Sequence, residues 1–346
     1  MKALAFAEHG GLEQVRLMDL PLPKVGPRDV LLSVRAAALN RLDLWVLEGW
    51  PGLKLKLPHI LGADGAGVIA AVGERVTEFQ VGDRVAVNPT ICNDPADAYA
   101  RRGFDNMCDD FALFGEHIDG FFAEFAVVPE RNLLPLPGHV PFAAAAAASL
   151  VFVTAWHSLI TRGGLRPGES VAIVGAGGGV NTASIQIARL AGASPIYVIG
   201  SSNDKLALAR ELGADITIDR NEVEWSREVY RLTGRRGVDV VVDNVGAATF
   251  AQSLRALRRG GRLLTVGNSS GPRFELDNRY LFGKHLTIMG STMGTSADYA
   301  AVMGLIFAGR LRPVIDTVYP LAEGAAALQQ LREGEVRGKL VLTIAE

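Results

Sequence analysis

From about residue 151 the sequence alternates short apolar runs with longer stretches of helical character. The apolar runs are VAIVGA at 171, IYVIG at 196, DVVVDNVG at 239 and GRLLTVG at 261, and stretches such as KLALARELGA at 205 lie between them. This alternation is typical of the α/β class, with a doubly wound parallel sheet covered by helices. We predict such a domain over residues 151–293.

A glycine-rich turn follows the first of these strands. The segment GAGGGVN at 175–181 separates the strand from the helix TASIQIARL at 182–190. Glycines let the backbone approach a pyrophosphate, and the N–H groups of a helix N-terminus favour its charge. The turn therefore predicts dinucleotide binding, against the alternative of a flexible turn without a ligand. The residues assigned to the cofactor here are Gly177, Gly178, Gly179, Val180 and Asn181.

The next strand end predicts which dinucleotide is bound. A carboxylate there would accept a hydrogen bond from the ribose 2′-hydroxyl of NAD and would repel the 2′-phosphate of NADP. At that place the chain has Gly200, and Ser201, Ser202 and Lys205 follow it. These residues favour NADP(H) over NAD(H), although Ser202 alone would also serve as a helix cap.

The first 150 residues have a different pattern. Short β-branched runs alternate with turns such as Val81-Gly82-Asp83, which is typical of an all-β unit. The chain returns to mixed helix and strand from about residue 294, and GKLVLTI at 338–344 is predicted to be a strand that closes back on this first unit. We therefore assign residues 1–150 and 294–346 to one domain, with the other inserted into it. A chain of 346 residues is long enough for two such cores.

Composition excludes several kinds of partner. A net charge of −2 leaves no basic excess for nucleic acid or an anionic membrane surface. The most apolar run, Phe142–Trp156, is shorter than the roughly 20 residues that span a bilayer, and we predict a buried helix leading into a strand or turn. Glu8 and His9 interrupt any apolar signal sequence, which favours a cytoplasmic protein.

Several motifs together resemble the medium-chain dehydrogenase/reductase superfamily, which contains zinc alcohol dehydrogenases and quinone oxidoreductases. They are ALNRLDLW at 38–45, the turn at 62–73, GDRV at 82–85, GEH at 115–117 with GFFAEF at 120–125, and GKLV at 338–341. The resemblance extends over essentially the whole chain. It implies a GroES-like β-barrel catalytic domain, a Rossmann cofactor domain and assembly as a homodimer or homotetramer.

The same resemblance bears on a catalytic zinc ion. In zinc members the ligands lie at the places of Asn40, of Ala63-Asp64 and near Leu150, and here only Asp64 keeps a good ligand. Catalytic zinc needs three protein ligands and one open position. We therefore predict no catalytic zinc, and hydrogen-bond donors in its place.

The resemblance also implies functional residues. Asn40, Asp43 and Thr154 are the predicted catalytic residues. The predicted substrate pocket contains Trp45, Trp50, His59 and Asp64. The segments predicted to flank the nicotinamide contribute Val266, Gly267, Asn268, Ser291, Thr292 and Met293. Asn244 is a further predicted cofactor-binding residue.

Some of these residues have plainer interpretations. Both tryptophans are also compatible with an ordinary core, and His59 with a structural histidine that is hydrogen-bonded inside the protein. The run 286–289 resembles the strand by which relatives pair their sheets into dimers.

The two cysteines fall where many relatives bind a structural zinc through four cysteines. Cys92 and Cys108 remain here, with Asp94 and Asp97 between them. A mixed site of these four residues is chemically allowed because zinc accepts oxygen ligands. A Cys92–Cys108 bridge and two free thiols are the alternatives.

The predicted activity is NADP(H)-dependent hydride transfer, without catalytic zinc, to a quinone, an enone or a hydrophobic ketone. One alternative is an alcohol/ketone dehydrogenase that polarises its carbonyl by hydrogen bonding. Another is a sensor that binds NADPH and transfers no hydride.

Overall fold

The computed structural model describes residues 1–94 and 96–344; Pro95, Ala345 and Glu346 lie outside that description. The chain divides into two compact units. The first contains residues 1–153 and 295–344 of the described chain, and the second contains residues 154–294. The second unit begins three residues later and ends one residue later than the predicted domain of residues 151–293.

The strands are numbered in chain order. They are β1 (Lys2–Phe6), β2 (Arg16–Asp19), β3 (Asp29–Ala38), β4 (His59–Ile60), β5 (Asp64–Val72), β6 (Arg84–Val87), β7 (Thr90–Ile91), β8 (Ala112–Leu113), β9 (Phe125–Pro129), β10 (Leu133–Pro135), β11 (Val171–Val174), β12 (Ile196–Gly200), β13 (Ile216–Asp219), β14 (Val238–Asp243), β15 (Leu257–Thr265), β16 (Thr287–Gly290), β17 (Ile315–Pro320) and β18 (Lys339–Thr343).

The helices are numbered in the same way. They are α1 (Arg41–Glu48), α2 (Phe142–Trp156), α3 (Gly179–Leu190), α4 (Asn203–Glu211), α5 (Trp225–Leu232), α6 (Phe250–Ala256), α7 (Asn278–Lys284), α8 (Ser296–Phe307) and α9 (Gly324–Glu333).

The first unit is built around a largely antiparallel sheet in the order β10-β6-β5-β3-β18-β17, with β9 also paired to β3. Strand β3 alternates buried and half-buried residues along most of its length, the period-2 pattern of a strand with one face on the core. The closing strand predicted at 338–344 is confirmed, because β18 pairs with β3. Residues from the end of the described chain therefore lie beside residues from its beginning.

Aromatic packing fixes the start of β5. Gly62 has a φ of +101°, and a Cβ atom there would lie 2.3 Å from the Phe122 ring. A Cβ atom at Gly65 would lie 2.4 Å from the Phe121 ring. Both rings are fully buried, so these two positions require glycine.

The second unit contains the predicted parallel sheet, and the α/β class is confirmed. Its strands run in the order β13-β12-β11-β14-β15-β16, and all the pairings are parallel. Successive strands move outward from β11 to β13 and then return to the other side of β11 with β14. The carboxyl ends of β11 and β14 thus flank a switch in strand order, where open α/β sheets bind their ligands.

The prediction for the apolar run is wrong at its end. Helix α2 does not lead into a strand or turn but continues through His157–Arg162 as π-helix. The continuous helix of 21 residues is long and apolar enough to cross a membrane, but 78% of its most apolar window is buried within the protein. That burial is typical of the core helix of a soluble protein.

Candidate functional site

A buried polar cluster lies where three segments of the first unit meet. Strand β3 is antiparallel to both β5 and β18, and Ala38 at its end is paired with Asp64 and with Val341. The start of β5, the start of β18 and the residues after β3 therefore lie side by side. Asn40, Asp64 and Lys339 are the polar residues at these three places.

Their side chains form a closed network. The Lys339 ammonium donates to Asn40 Oδ1 at 2.6 Å and to Asp64 Oδ2 at 2.9 Å. Asn40 Nδ2 donates to the same Asp64 oxygen at 2.9 Å. The other Asp64 oxygen accepts the backbone N–H of Leu150 at 2.7 Å. The exposed fractions of the Lys339 and Asp64 side chains are 4% and 0%, so this ion pair is shielded from water.

Asp43 joins this network from the first turn of α1. Its Oδ2 accepts the backbone N–H of Asn40 at 2.7 Å, and its Oδ1 has no hydrogen-bond partner among the described residues. Burial raises the pKa of the Asp43 carboxyl to about 7, and the Asp64 charge acts in the same direction. The Asn40 N–H and the Lys339 charge oppose this rise. Asp43 therefore exchanges a proton near neutral pH.

This raised pKa predicts a pH-dependent stability. A carboxyl whose pKa is higher in the folded than in the unfolded protein stabilises the fold at low pH, and that contribution is lost as the pH rises from about 4 to about 7. We expect Asp43 to contribute a fall of about 4 kcal/mol in the free energy of unfolding over this range. The Asp43→Asn variant carries an amide that mimics the protonated carboxyl, so the fall should be absent from it.

Urea unfolding of the unaltered protein and of Asp43→Asn, at pH 5 and at pH 8, measures the effect. The variant should gain stability relative to the unaltered protein at pH 8. An exposed carboxylate, Glu8, provides the control variant Glu8→Gln. An equal stability difference at both pH values would contradict the prediction.

The other residues predicted for the substrate pocket are not part of this network. His59 is 2% exposed, with Nε2 3.2 Å from the Gly115 carbonyl oxygen, and burial lowers its pKa. These contacts fit the plainer interpretation, a structural histidine that is hydrogen-bonded inside the protein. Trp45 and Trp50 are 37% and 40% exposed, so the alternative that they are ordinary core residues is wrong.

The glycine turn of the second unit has the geometry of an anion site. Gly175 has a φ of +110°, and a Cβ atom there would lie 2.1 Å from Asn181 Nδ2. Helix α3 begins at Gly179, three residues earlier than the sequence suggested, so the free N–H groups of its first turn lie next to the glycines. Gly178 is open, because a Cβ atom there would meet only the Asn181 amide, at 3.9 Å. A phosphate has room to approach at this point.

The remaining predicted cofactor residues of the second unit share one edge of the sheet. Asn244, the segment 266–268 and the segment 291–293 follow β14, β15 and β16 at their carboxyl ends. Asn244 Nδ2 donates to Asn181 Oδ1 at 2.6 Å and so connects this edge to the glycine turn. Among the described residues, the buried atoms Asn244 Oδ1 and Ser291 Oγ have no hydrogen-bond partner. Unpaired buried acceptors and hydroxyls suit a polar ligand such as a dinucleotide.

Thr154 and Met293 lie together within the second unit. The Thr154 hydroxyl is buried and is 3.7 Å from the Met293 sulfur, a weak acceptor. Met293 has a φ of +51°, uncommon for a residue other than glycine. Among the described residues, the partner found for the Thr154 hydroxyl is thus a weak one.

Packing explains the glycine at the end of β12. A Cβ atom at Gly200 would lie 2.5 Å from Leu206 and 3.0 Å from Ala176. A larger residue there would require Leu206 to move, so packing favours glycine whichever cofactor is bound, and its presence alone does not select NADP. Ser201 is exposed. The Lys205 side chain lies over the glycine turn, 2.6 Å from the place that a Cβ atom of Gly177 would occupy.

The lobe with the two cysteines contains a disulfide between Cys92 and Cys108. Asp94 and Asp97 do not join the sulfurs through their carboxylates, which instead accept backbone N–H groups at Ala96 and at Tyr99, Ala100 and Asp109. The carboxylate beside the sulfurs is that of Asp110, which lies within 4.8 Å of both. A disulfide provides no thiolate, so only the reduced lobe fits a zinc ion, through Cys92, Cys108 and Asp110.

This arrangement predicts redox-dependent metal binding. We expect the reduced protein to bind at most one zinc ion in the lobe, and the Cys92→Ser/Cys108→Ser variant to bind none. Metal analysis before and after reduction provides the measurement. Asp110→Asn removes the carboxylate beside the sulfurs, and Asp94→Asn, which leaves it in place, is the matched control. Zinc that survives the double cysteine change would place the metal elsewhere.

Two contributors to these sites were missed at the sequence level. The sequence analysis gives Lys339 no functional role of its own, although it places this residue in the predicted closing strand and in the GKLV motif. Asp243 was read only as part of DVVVDNVG, yet it is fully buried and its carboxylate accepts four hydrogen-bond donors. A charged residue at the end of an apolar strand was the available signal.

Comparison with protein families assigns both parts of the chain. Residues 26–138 match the family described as the GroES-like domain of alcohol dehydrogenases, which confirms the predicted GroES-like domain. Residues 179–308 match the family described as zinc-binding dehydrogenase.

Individual proteins are similar over nearly the full length. A crystal structure described as an NAD-dependent alcohol dehydrogenase is 41% identical, with a TM-score of 0.96 and 100% of both chains covered. Crotonyl-CoA reductase of Streptomyces avermitilis is 31% identical over 96% of this chain and 83% of its own. Quinone oxidoreductase of Lama guanicoe is 30% identical over 99% of this chain and 98% of its own.

Proposed function

The chain belongs to the medium-chain dehydrogenase/reductase superfamily of oxidoreductases, and we propose that within it this protein is an NADP(H)-dependent reductase without a catalytic zinc ion. Its proposed substrate is a quinone, an enone or a hydrophobic ketone. The observation that carries this proposal is the buried network of Asn40, Asp64 and Lys339, in which an ammonium group is the cation.

The residues at this place do not fit a catalytic zinc ion. Of the positions that hold the metal in zinc members, Ala63 and Leu150 carry no ligand atom. The polar atoms of Asn40 and Asp64 are already bonded to each other and to Lys339. Three free ligands are therefore lacking, and no step of the proposed reaction passes through a metal.

The second unit fits a dinucleotide. Its glycine turn has room for the pyrophosphate, and the unpaired polar atoms of Asn244 and Ser291 lie at the same sheet edge. When bound, NADPH supplies the hydride. The absence of a carboxylate at Ser201 and the position of the Lys205 side chain over the turn support a 2′-phosphate.

Hydrogen-bond donors take the place of the metal in this proposal. One amide hydrogen of Asn40 is held by Asp64, and the other meets the Ala38 carbonyl oxygen only at 3.4 Å. That second hydrogen, and the weakly held hydroxyl of Thr154, are the proposed donors to a substrate oxygen. In a conjugated substrate the developing charge is spread, so two such donors suffice.

Asp43 is the proposed source of the proton. Reduction of an enone adds a hydride to one carbon of the double bond and a proton to the other. A carboxyl with a pKa of about 7 holds a proton at neutral pH and releases it readily. The names of the similar crotonyl-CoA reductase and quinone oxidoreductase support conjugated substrates.

An alcohol/ketone dehydrogenase is the second candidate. The similar crystal structure described as an NAD-dependent alcohol dehydrogenase favours it. Oxidation of NADPH and of NADH, followed with a panel of quinones, enones, enoyl thioesters and ketones, tests both. Turnover of simple ketones and alcohols alone would favour the second candidate. NADPH binding without any turnover would favour a sensor.

Cofactor choice is tested by a charge at Ser201. We expect Ser201→Asp to weaken NADPH binding about tenfold relative to the uncharged, equally sized Ser201→Asn, because the carboxylate repels the 2′-phosphate. NADH binding should not be weaker in Ser201→Asp than in Ser201→Asn, because a carboxylate there can accept a hydrogen bond from the ribose 2′-hydroxyl. Fluorescence titration provides the dissociation constants, and tighter binding of NADH than of NADPH by the unaltered protein would refute the NADP preference.

We also propose a homodimer or homotetramer. Strand β16 forms one edge of the parallel sheet, and among the described strands it pairs only with β15. Its outer backbone groups are available to an equivalent strand of a second copy. Sedimentation equilibrium measures the assembly state, and a monomer at micromolar concentration would exclude it.

A further inference from the structure

Lys339 is an unusual residue to find buried. Lysine is almost never fully buried unless it is paired, and here the side chain is 4% exposed. It has two partners. One is the amide oxygen of Asn40, whose N–H is the proposed donor, and the other is the carboxylate of Asp64, which accepts a hydrogen bond from that amide.

The chemistry of these partners fixes the orientation of the Asn40 amide. An ammonium group only donates hydrogen bonds, and an ionised carboxylate only accepts them. Asn40 Oδ1 must therefore face Lys339, and Nδ2 must face Asp64. Rotating the amide by 180° would turn its NH2 group toward the ammonium and its oxygen toward the carboxylate, and both hydrogen bonds would be lost.

We propose that Lys339, together with Asp64, is a positioning residue that orients the Asn40 amide so that its second Nδ2 hydrogen, which meets the Ala38 carbonyl oxygen only at 3.4 Å, is offered to the substrate oxygen. This inference rests on the proposed function, since Asn40 meets a substrate only there. In the opposite orientation Asn40 would present its carbonyl oxygen to a substrate oxygen and repel the developing negative charge. Lys339 acts through Asn40 and does not need to touch the substrate.

The cost of burying charge supports a role in orientation. A buried ion pair is expensive to desolvate, and well-packed apolar residues are often at least as stabilising. Stability alone therefore does not explain an ammonium group at this place. An apolar residue in place of Lys339 would remove the charged donor to the Asn40 oxygen and weaken the preference for this orientation of the amide.

A double-mutant cycle between Lys339 and Asn40 tests the proposal. We expect Lys339→Met to lower kcat for an enone about 10²-fold, with the KM for NADPH unchanged, because a misdirected donor is lost to the reaction. In the Asn40→Ala background the same change should lower kcat no further. Lys339→Arg retains a donor-only cation and should keep most of the activity. Lys2→Met, at the exposed Lys2–Asp19 pair, is the matched control and should change neither value.

An equal loss of kcat from Lys339→Met in both backgrounds would overturn the proposal, since a purely structural role lowers the active fraction in both. A readout without turnover is the crystal structure of Lys339→Met, in which we expect the Asn40 side chain to leave Asp64 or to adopt a second conformer. An unchanged Asn40 would also overturn the proposal. If the unaltered protein reduces nothing, the proposed function fails, and the crystal structure still decides whether Lys339 orients the amide.

Discussion

Replacing Asn40 with alanine is expected to lower kcat about 10²- to 10³-fold for whichever quinone, enone or ketone the protein reduces, the usual effect of removing one donor to a developing negative charge. Thr154→Val, which removes a hydroxyl and keeps the shape of the side chain, is expected to have an effect of similar size. Both losses should appear in kcat and persist at saturating NADPH. Neither should depend on added chelator if the reaction proceeds without a metal, as proposed.

A buried asparagine outside the proposed site separates this effect from stability. Asn132 is 3% exposed and donates to the carbonyl oxygens of Asn88 and Thr90, at 2.9 and 2.6 Å. We expect Asn132→Ala to lower the melting temperature and to leave the kcat of the folded protein unchanged. If Asn40→Ala and Thr154→Val both turn over at the unaltered rate, these donors are not the ones that act on the substrate.

The second large effect is expected at Asp243. Its carboxylate accepts the N–H groups of Val245 and Gly246 and the hydroxyls of Thr249 and Ser253, at 2.6 to 3.1 Å. Asp243→Ala leaves four buried donors without their acceptor, and we expect a loss of about 4 kcal/mol in the free energy of unfolding.

The same change should weaken NADPH binding. Asp243 fixes the turn that begins with Asn244, and Asn244 is hydrogen-bonded to the helix of the glycine turn. We expect the dissociation constant for NADPH to rise about tenfold or more, since an ordering cost is added to binding. Chemical unfolding and fluorescence titration measure the two effects.

Asp239 offers a matched control on the same strand. It lies toward the other end of β14 and accepts hydrogen bonds from Ser170 and Arg258, but its side chain is 20% exposed. Water can then bond to Ser170 and Arg258 in place of the lost carboxylate. Asp239→Ala should therefore cost less stability than Asp243→Ala and leave NADPH binding unchanged. Equal effects of the two changes on NADPH binding would contradict the role given to Asp243.

The parallel sheet was predictable because its signals are local. Each strand, turn and helix of the second unit follows the previous one within some 20 to 30 residues, and the glycine turn requires only its own neighbours. The start of α3 was placed too late, because Gly179 reads as part of a turn although it adopts helical geometry. Helix boundaries depend on backbone hydrogen bonds that composition does not specify.

The polar network was less accessible to sequence reasoning. The resemblance to a known superfamily singled out Asn40, Asp43 and Asp64, but their cation comes from a strand almost 300 residues away. Whether Lys339 points into this cluster or into solvent depends on the register of β18 against β3, and a slip of one residue would reverse it. A single sequence does not specify that register.

Steric detail was also hidden in the sequence. The sequence suggests a reading of Gly200 through charge, as the absence of a carboxylate, whereas the nearness of Leu206 and Ala176 favours a glycine there on grounds of space. The disulfide was one of three open alternatives for Cys92 and Cys108, since a 16-residue separation says nothing about the distance between the sulfurs.

The insertion of the second unit into the first has a consequence for synthesis on the ribosome. Lys339 follows Asp64 by 275 residues, which at about 5–20 residues per second is an interval of tens of seconds. Throughout that interval the nascent chain contains Asp64 without its cation, and β3 lacks β18 as a neighbour. The whole of residues 154–294 has emerged by then, so we expect the inserted unit to fold first. The enclosing unit, and with it the polar network, is then completed last.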